Sequence, residues 1–593
     1  MNRLQISLRA GGWLGGLAVA ALLLAVPVAT AAGVPNFTLM DFREQNQELR
    51  RADGKAVVLF FTGNGCPIAA KSVPKLRALK SKFGKEGITF WVINAYPDDT
   101  LQSIREERNK LKMTGFQILR DTKLEVALSL GVERTAEVVA ISTSDWKVFY
   151  QGAIDDQYTE GAERPAPQSK FLETALRQFL AGQPIETTRT ASHGCRLPYA
   201  GIIDTPSYAA QVAPILRGHC VQCHREGGIG QWEMNGYGPV KNKARMIEEV
   251  LLTRRMPPWD PSPDYGHFAD GNSLSPEEAQ TLLAWVKAGA PRGEGEDPLT
   301  AKLDPLPDWE LGTPNAVVRL AKEQQIPATG VLDYRQLPLT SPGLTNEVWL
   351  RAVTLKPGNR KVVHHAIIYA KWPGCVDNSG GKGVFIAGWA PGVPSLKFPE
   401  GVGKRLPANA ELSVEMHYTT CGTDETDVTQ AAFYYWPGPQ ARSAETRAAL
   451  DLDLMVPPGT DEARHHATYC FNKPATIYGL SPHMHKRGKW MRYELLLPDG
   501  TKETLLHVPR YDFNWQHTYR FAEPRHVQPG TWLLVSGAFD NSDSNPANPD
   551  SRERVRFGQQ SWDEMFIGFF EAADDPATGT ASIGSSGGAG GQP

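Results

Sequence analysis

The sequence predicts a multidomain chain: an α/β domain first, a small all-α module second, and two all-β sandwich domains last. Three observations predict it. Strand-like and helix-like segments alternate over residues 34–195. Helical periods joined by Gly/Pro loops fill 205–292. From 311 to 573, short strands are separated by Gly, Pro and Asn/Asp turns. A length of 593 residues exceeds one core and fits about three to five domains. The net charge of -3, with no lysine or arginine run, excludes general nucleic-acid binding.

Residues 1–32 read as a secretory signal peptide. Arg3 and Arg9 precede an apolar run that ends at Ala29-Thr30-Ala31. The alternative is an uncleaved anchor. No other apolar run is long enough to span a bilayer, so the mature chain is expected to be exported, periplasmic and without a membrane span.

Residues 33–198 form the α/β domain. "AVVLFFT" (56–62) and "ITFWVINA" (88–95) are strands, and 69–84 and 100–111 are helices. "EVVAIS" and "KVFYQG" close as a hairpin, and 168–182 is an amphipathic last helix. Cys66 in "FFTGNGCPIAAK" follows a strand and opens a helix, where the helix N-terminus favours a thiolate. Ala69 stands where a C-x-x-C motif would have its second cysteine. Across roughly 34–195 the chain resembles the redoxin branch of the thioredoxin superfamily, including "GAIDD" near the end. Such domains usually carry a cis-proline facing the cysteine. Here the position is Ala136, so a trans bond is expected, which counts against dithiol chemistry. Cys66 and Cys195 are the candidate redox thiols, with a purely structural thioredoxin-like fold as the alternative.

Residues 203–293 form the all-α module, with Ser275-Pro276-Glu277-Glu278 as a helix start. "GHCVQCHREGG" contains Cys220-x-x-Cys223-His224, the attachment pattern of a covalently bound c-type haem. Both thiols would form thioethers, and His224 would be the proximal ligand. No second knuckle lies nearby to make a zinc site. Met256 in "RRMPPWDP" is the favoured sixth ligand, with Met234 and Met246 as rivals; Met246 fits a helix core. His–Met ligation makes an electron carrier, a cytochrome c module.

Residues 294–314 read as a linker, 315–455 and 456–574 as the two β domains, and 575–593 as a flexible tail. Ligand-type residues recur beside the apolar runs: His364 and His365 in "KVVHHAIIYA", His417 in "LSVEMHYTT", His483 and His485 in "SPHMHKRGKW", and Met565 in "SWDEMFIGFF". Residues i and i+2 of a strand share a face, so His483 and His485 can hold one ion. Adjacent His364 and His365 point to opposite faces unless the strand bends. Imidazole suits copper, zinc and iron, and a thioether favours Cu(I).

The motif order "VHHAIIY", "GWAPGVPSLKFPEGVG", "EMHY", "HMH" and "DEM" over 315–573 resembles the copper type II, ascorbate-dependent monooxygenases. The resemblance implies two jelly-roll-like domains and two copper ions. His364, His365 and His417 would hold the electron-transfer copper. His483, His485 and Met565 would hold the catalytic, oxygen-binding copper. The family inserts one atom of O2 into a C–H bond, using two electrons usually supplied by ascorbate. Family members commonly pair a cysteine after the DEM methionine with one on a preceding strand. Phe566 and "LLVSGAFDN" lack both, so that disulfide is absent. The peptide-amidating members keep a substrate-gripping arginine and tyrosine at positions that are Ser481 and Phe569 here. A peptide carboxylate is therefore not the expected handle.

With Cys220 and Cys223 on the haem, five of seven cysteines remain, so at least one is unpaired within the chain. Cys375, Cys421 and Cys470 offer one disulfide among them, and a Cys375–Cys421 pairing would tie the first β domain together. His465 and His466 read as surface or supporting residues, and His507, His517 and His526 as ordinary polar strand positions.

The expected function is a copper- and haem-containing monooxygenase. Its haem takes electrons from a periplasmic donor or an ascorbate-like reductant, for O2-dependent hydroxylation of a small organic substrate. The alternatives are a copper-binding electron-transfer or copper-handling protein without oxygen insertion, and a thiol-based redox protein using Cys66.

Overall fold

The structure, a computed structural model, describes residues 33–576 apart from 160–161, 200–204, 231, 259–260, 270, 304–306, 376–380 and 391–394. The signal segment 1–32, residues 391–394 of the "GWAPGVP" motif, and all but two residues of the tail lie outside the described residues.

The first domain is built on one sheet. Its strands are β1 (Thr38–Asp41), β2 (Asn46–Glu48), β3 (Ala56–Thr62), β4 (Ile88–Asn94), β5 (Gln117–Arg120), β6 (Val138–Ser142) and β7 (Val148–Gly152), in the order 2-1-5-4-3-6-7. The central β3, β4 and β5 are parallel neighbours. β6 and β7 form the expected closing hairpin. Every residue of β3 is buried, as a strand covered on both faces requires. Val57, Leu59 and Phe61 face one core; Ala56, Val58 and Phe60 face the other. Helices α1 (Pro67–Phe83), α2 (Leu101–Lys110), α3 (Glu125–Leu130) and α4 (Phe171–Leu180) complete the domain. β1, β2, β5 and α3 are too short to show as periods in the sequence.

The helical segment departs from the expected long helices. The run 208–224 is a π turn (Tyr208–Val212) followed by α5 (Ala213–His219). The amides of Cys220 and Val221 both turn onto the Leu216 carbonyl and close the helix, so Cys220, Cys223 and His224 sit in the following turn. The run 240–254 breaks at Lys243 into α6 (Tyr237–Asn242) and α7 (Ala244–Leu252). α8 (Pro276–Lys287) starts at Ser275 with a complete capping box to Glu278. Met246 is 48% exposed, which corrects its expected place in a helix core.

This segment does not have a core of its own. Leu216, Leu282 and Trp285 belong to the same apolar cluster as Val57, Leu59 and Phe61 of β3. Nor is 294–314 a free linker. The Asp297 carboxylate accepts from Tyr208 Oη at 3.0 Å and Tyr237 N at 2.6 Å, and Trp309 and Leu311 pack against Ala352 and Tyr434.

The remainder is a mostly β, multi-sheet region. One four-stranded sheet runs Arg335–Pro338, Glu411–Tyr418, Val363–Lys371, Val384–Trp389. A second runs Ala463–Cys470, Trp532–Phe539, Gly488–Leu496, Lys502–Val508. A nine-stranded sheet joins the two halves, because Val402–Leu406 pairs in parallel with Arg442–Leu450. Arg442–Leu450, assigned by sequence to the first β domain, pairs along its length with Ile567–Asp574 of the second. The boundary at 455/456 is thus a break in sequence pattern, not in hydrogen bonding.

Candidate functional site

The histidines of the β region converge. His365 pairs directly with His417 across two strands, and the register slips between Val363 and His365. His364 is the extra residue of this bulge. The bulge supplies the bend that adjacent histidines need to serve one pocket. Nδ1 of His364 lies 3.1 Å from Nδ1 of His365, and the three residues each offer a nitrogen within 4.8 Å of the others. Two of the ring nitrogens, His365 Nε2 and His417 Nδ1, are buried without a hydrogen-bond partner among the described residues. Burial and the neighbouring histidines hold His365 well below its ordinary pKa, and burial with His364 and Lys486 pushes His417 down to about 3. The imidazoles are therefore neutral, with lone pairs available. Neutral nitrogens, mutually close and partly unpaired, fit a copper ion.

His483 ends the strand Ala475–His483, and His485 follows two residues on, with ring centroids 5.3 Å apart. Each Nδ1 is engaged: His483 with Gln516 Oε1 at 2.7 Å, His485 with the Asp563 carbonyl at 3.2 Å. With Nδ1–H donating, each Nε2 is left as the ligand atom. Burial pushes His483 down to about 4 and holds His485 well below the usual range. Glu564 locks this turn: its carboxylate accepts from His485 N at 2.8 Å and Arg487 N at 2.6 Å. Met565 lies two residues before Ile567, which pairs opposite His483, so it falls level with His485 along the two chains.

The two histidine groups are neighbours. Tyr334 stacks on His417 at 4.5 Å and lies 6.5 Å from the ring of His485. Phe513 lies 4.9 Å from His364 and 5.7 Å from His485. A cleft of about 820 Å³, open mouth included, is lined by His365 and His483 together with Phe385, Trp389, Ser481 and Phe569. Tyr334, Phe513, Gln516 and Glu564 were not singled out from sequence. Only Glu564 had a signal there, as the middle residue of "DEM".

His507 and His517 differ from the polar strand positions expected. Both are buried, and His517 lies in an irregular segment. His465 contacts Asp451 at 2.9 Å, and His466 is exposed. The expected Cys375–Cys421 bond is not formed: all seven cysteines are free thiols. Cys421 Sγ turns to Thr423 and Cys470 Sγ to Asn472, each satisfied within its own turn.

In the helical segment, His224 Nδ1 lies 2.9 Å from the Trp232 carbonyl, which leaves Nε2 as the ligand atom. The Met234 amide donates to the His224 carbonyl at 2.8 Å, and Met234 is buried. Met256 is half-buried in a loop that docks on the β region. There Ser262 N donates to the His507 carbonyl at 2.7 Å, and on the side of the first domain Arg120 of β5 pairs with Asp264 of the same loop at 2.7 Å. Burial pushes Cys220 up to about 12 and also raises Cys223. The donor set Cys-x-x-Cys-His, with a fixed imidazole tautomer, fits a c-type haem.

In the first domain, Cys66 caps α1, and its Sγ accepts from Ala69 N at 3.5 Å. Cys195 Sγ lies 3.1 Å from Cys66 Sγ, so the structure brings the two candidate thiols together. Thr135 joins them: its Oγ1 lies 2.9 Å from Cys66 Sγ and accepts from Cys195 N at 2.8 Å. Burial raises Cys66, but hydrogen bonds from Thr135, Ala69 and Cys195 outweigh it and leave the thiol below its ordinary pKa. Burial and the Cys66 sulfur raise Cys195. The Thr135–Ala136 bond is trans, as expected.

Comparison with known proteins speaks to this domain. A model of the AhpC/TSA family matches residues 31–150. A thiol-disulfide oxidoreductase, ResA of Halalkalibacterium halodurans, is 28% identical over 127 residues, covering 21% of this chain and 70% of that protein. An uncharacterized conserved protein of Geobacillus kaustophilus has a solved structure with 23% identity and a TM-score of 0.26, covering 29% of this chain and 92% of that one. A putative thiol:disulfide interchange protein DsbE of Chlorobium tepidum gives 20% identity and a TM-score of 0.21, covering 25% and 95%. Residues 31–150 are thus a thioredoxin-like domain of the AhpC/TSA type, with thiol-disulfide oxidoreductases among its relatives. Among the described residues, no helix is long and apolar enough to cross a membrane.

Proposed function

We propose that the chain is an exported, copper- and haem-containing oxidoreductase that hydroxylates a C–H bond of a small organic substrate with O2. The observation that carries this is the close set of neutral nitrogens on His364, His365 and His417, two of them buried and unpaired. When bound, the copper ions and the c-type haem supply one-electron chemistry and oxygen activation. The chain's own residues do the rest. The bulge at His364 turns His364 toward His365, cross-strand register sets His417 beside them, and Gln516 and the Asp563 carbonyl orient His483 and His485. Phe385, Trp389 and Phe569 give the cleft beside His365 and His483 apolar walls, with Gln516, Arg520 and Glu571 as polar groups, and this mixed lining suits a small organic substrate. Cys220, Cys223 and His224 would hold the haem, with Met256 or Met234 as its sixth ligand. The electrons would come from a periplasmic donor or an ascorbate-like reductant.

The test is the copper-to-haem ratio of the mature protein, with and without His485→Ala. Two coppers per haem, falling toward one in the variant, is the expected result. Protein without copper would end this reading. Two coppers without substrate-coupled oxygen uptake would leave a copper-handling or electron-transfer protein.

The comparisons favour a second reading, thiol–disulfide exchange in the first domain. Its support is the AhpC/TSA match, the ResA relative and the contact between Cys66 and Cys195. The two readings concern different residues and can hold in one chain. Cys66→Ser abolishing dithiol–disulfide turnover, because no disulfide within the chain can close, while His485→Ala spares it is the expected separation.

A further inference from the structure

Thioredoxin-type sites place two cysteines in one helical turn, and this chain has Ala69 in the second place. The second sulfur comes instead from 129 residues further along, in the irregular segment that leaves the domain. Gly194 permits the approach, since a Cβ there would meet the Thr135 carbonyl oxygen at 1.9 Å. The Thr135 amide donates to the Cys195 carbonyl at 2.9 Å, and the Cys195 amide donates to the Thr135 hydroxyl at 2.8 Å. This two-way clamp holds the sulfurs 3.1 Å apart. A disulfide needs about 2.05 Å, so about 1 Å of sulfur movement closes it. The two thiols differ in access: Cys66 is 4% exposed, whereas Cys195 is half-buried at the surface.

We propose that Cys66 and Cys195 form a reversible dithiol–disulfide centre that exchanges with an external dithiol through the Cys195 sulfur. The proposal rests on the thiol reading of the first domain and deepens it. In the oxidised centre, a thiolate of the external dithiol attacks Cys195 Sγ. The Cys66–Cys195 bond breaks, and a mixed disulfide forms on Cys195. Cys66 leaves as the thiolate, received by the Ala69 amide and the Thr135 hydroxyl. The second thiol of the external molecule then displaces Cys195 and closes the external disulfide. Two electrons pass to the protein. One of the two thiol protons goes to Cys195; the other goes to solvent or, below its pKa, to Cys66. The reverse sequence passes both electrons to an external disulfide and reforms the protein's own. The polarity is opposite to a C-x-x-C site, in which the helix-capping cysteine is the exposed one.

The experiment uses mature, haem-loaded protein in glutathione buffers of graded oxidation, with non-reducing peptide mapping. A linked peptide carrying Cys66 and Cys195 is expected in oxidising buffer and is expected to disappear with dithiothreitol while the protein stays folded. Cys66→Ser is expected to take up glutathione on Cys195 at least tenfold faster than Cys195→Ser takes it up on Cys66. No linked peptide in oxidising buffer, or one that resists dithiothreitol in the folded protein, overturns the proposal. So does equal uptake in the two variants. If Cys195→Ser exchanges disulfides as fast as the parent, the thiol reading survives on Cys66 alone and this pairing falls. If the parent itself exchanges with neither glutathione nor dithiothreitol, the thiol reading falls with it.

Discussion

The thiol site and the first histidine site are both buried donor clusters gathered from distant parts of the chain. They differ in what those donors already hold. Around Cys66, the sulfur accepts from the Ala69 amide and meets the Thr135 hydroxyl, which in turn accepts from the Cys195 amide. Around His417, two ring nitrogens have no hydrogen-bond partner among the described residues. A self-satisfied cluster stabilises the fold without a ligand. A cluster with unpaired buried nitrogens costs free energy until something binds it. The second histidine pair stands between these cases: its Nδ1 atoms are engaged and its backbone is held by Glu564, while its Nε2 atoms are left as ligand atoms.

The largest expected effect tests that intermediate case. Glu564→Ala strands the buried amides of His485 and Arg487, at a cost of about 3 kcal/mol. Thermal unfolding followed by tryptophan fluorescence reads it. A variant as stable as the parent would mean that Glu564 does not hold the His485 turn.

A pH effect comes next, at the seam between the two regions. Glu44 of the first domain meets Arg492 at 2.9 Å and lies 3.9 Å from His507. Burial and Arg492 push His507 down to about 3. The unfolded chain binds a proton near pH 6.5 and the folded one does not, so stability is full above 6.5 and falls as the pH drops toward 3. About 2 kcal/mol is lost by pH 5. His507→Gln is expected to flatten that part of the stability-versus-pH curve; an unchanged slope would assign it elsewhere.

The comparison itself is sharpened by a pair of apolar substitutions with opposite signs. In copper-free protein, His417→Phe removes an unpaired buried nitrogen and is expected to raise stability by about 1 kcal/mol or leave it unchanged. The same variant should lose the copper of that site. Thr135→Val removes a shared hydroxyl and is expected to destabilise by about 1 kcal/mol. It should also raise the Cys66 pKa, so that alkylation of Cys66 at a fixed pH below it slows. Destabilisation of similar size in both variants would falsify the contrast between the two clusters.

The sequence by itself determined the α/β alternation around β3 and β4, the capping of α8, and the cysteine at the start of α1. These are local matters: an all-apolar strand, a Ser-Pro-Glu-Glu start and a strand-to-helix turn act within a few residues. The six candidate ligand residues, five histidines and Met565, also stood out in the sequence, because ligand-type side chains recur beside four separate apolar runs. Only the tertiary structure decided how they come together. A one-residue bulge, invisible to period-two patterning, turns His364 toward His365. Cross-strand register then sets His417 opposite His365 and brings Met565 level with His485. The partners Tyr334, Phe513 and Gln516 come from loops, whose residues carry no periodicity to read. The same limit explains Cys195. Spacing rules find a second cysteine three residues away, but not one brought back across 129 residues by a segment without regular structure. Chain pattern specifies what each element is; contacts between elements, paid for by burial far from either residue, specify which atoms meet.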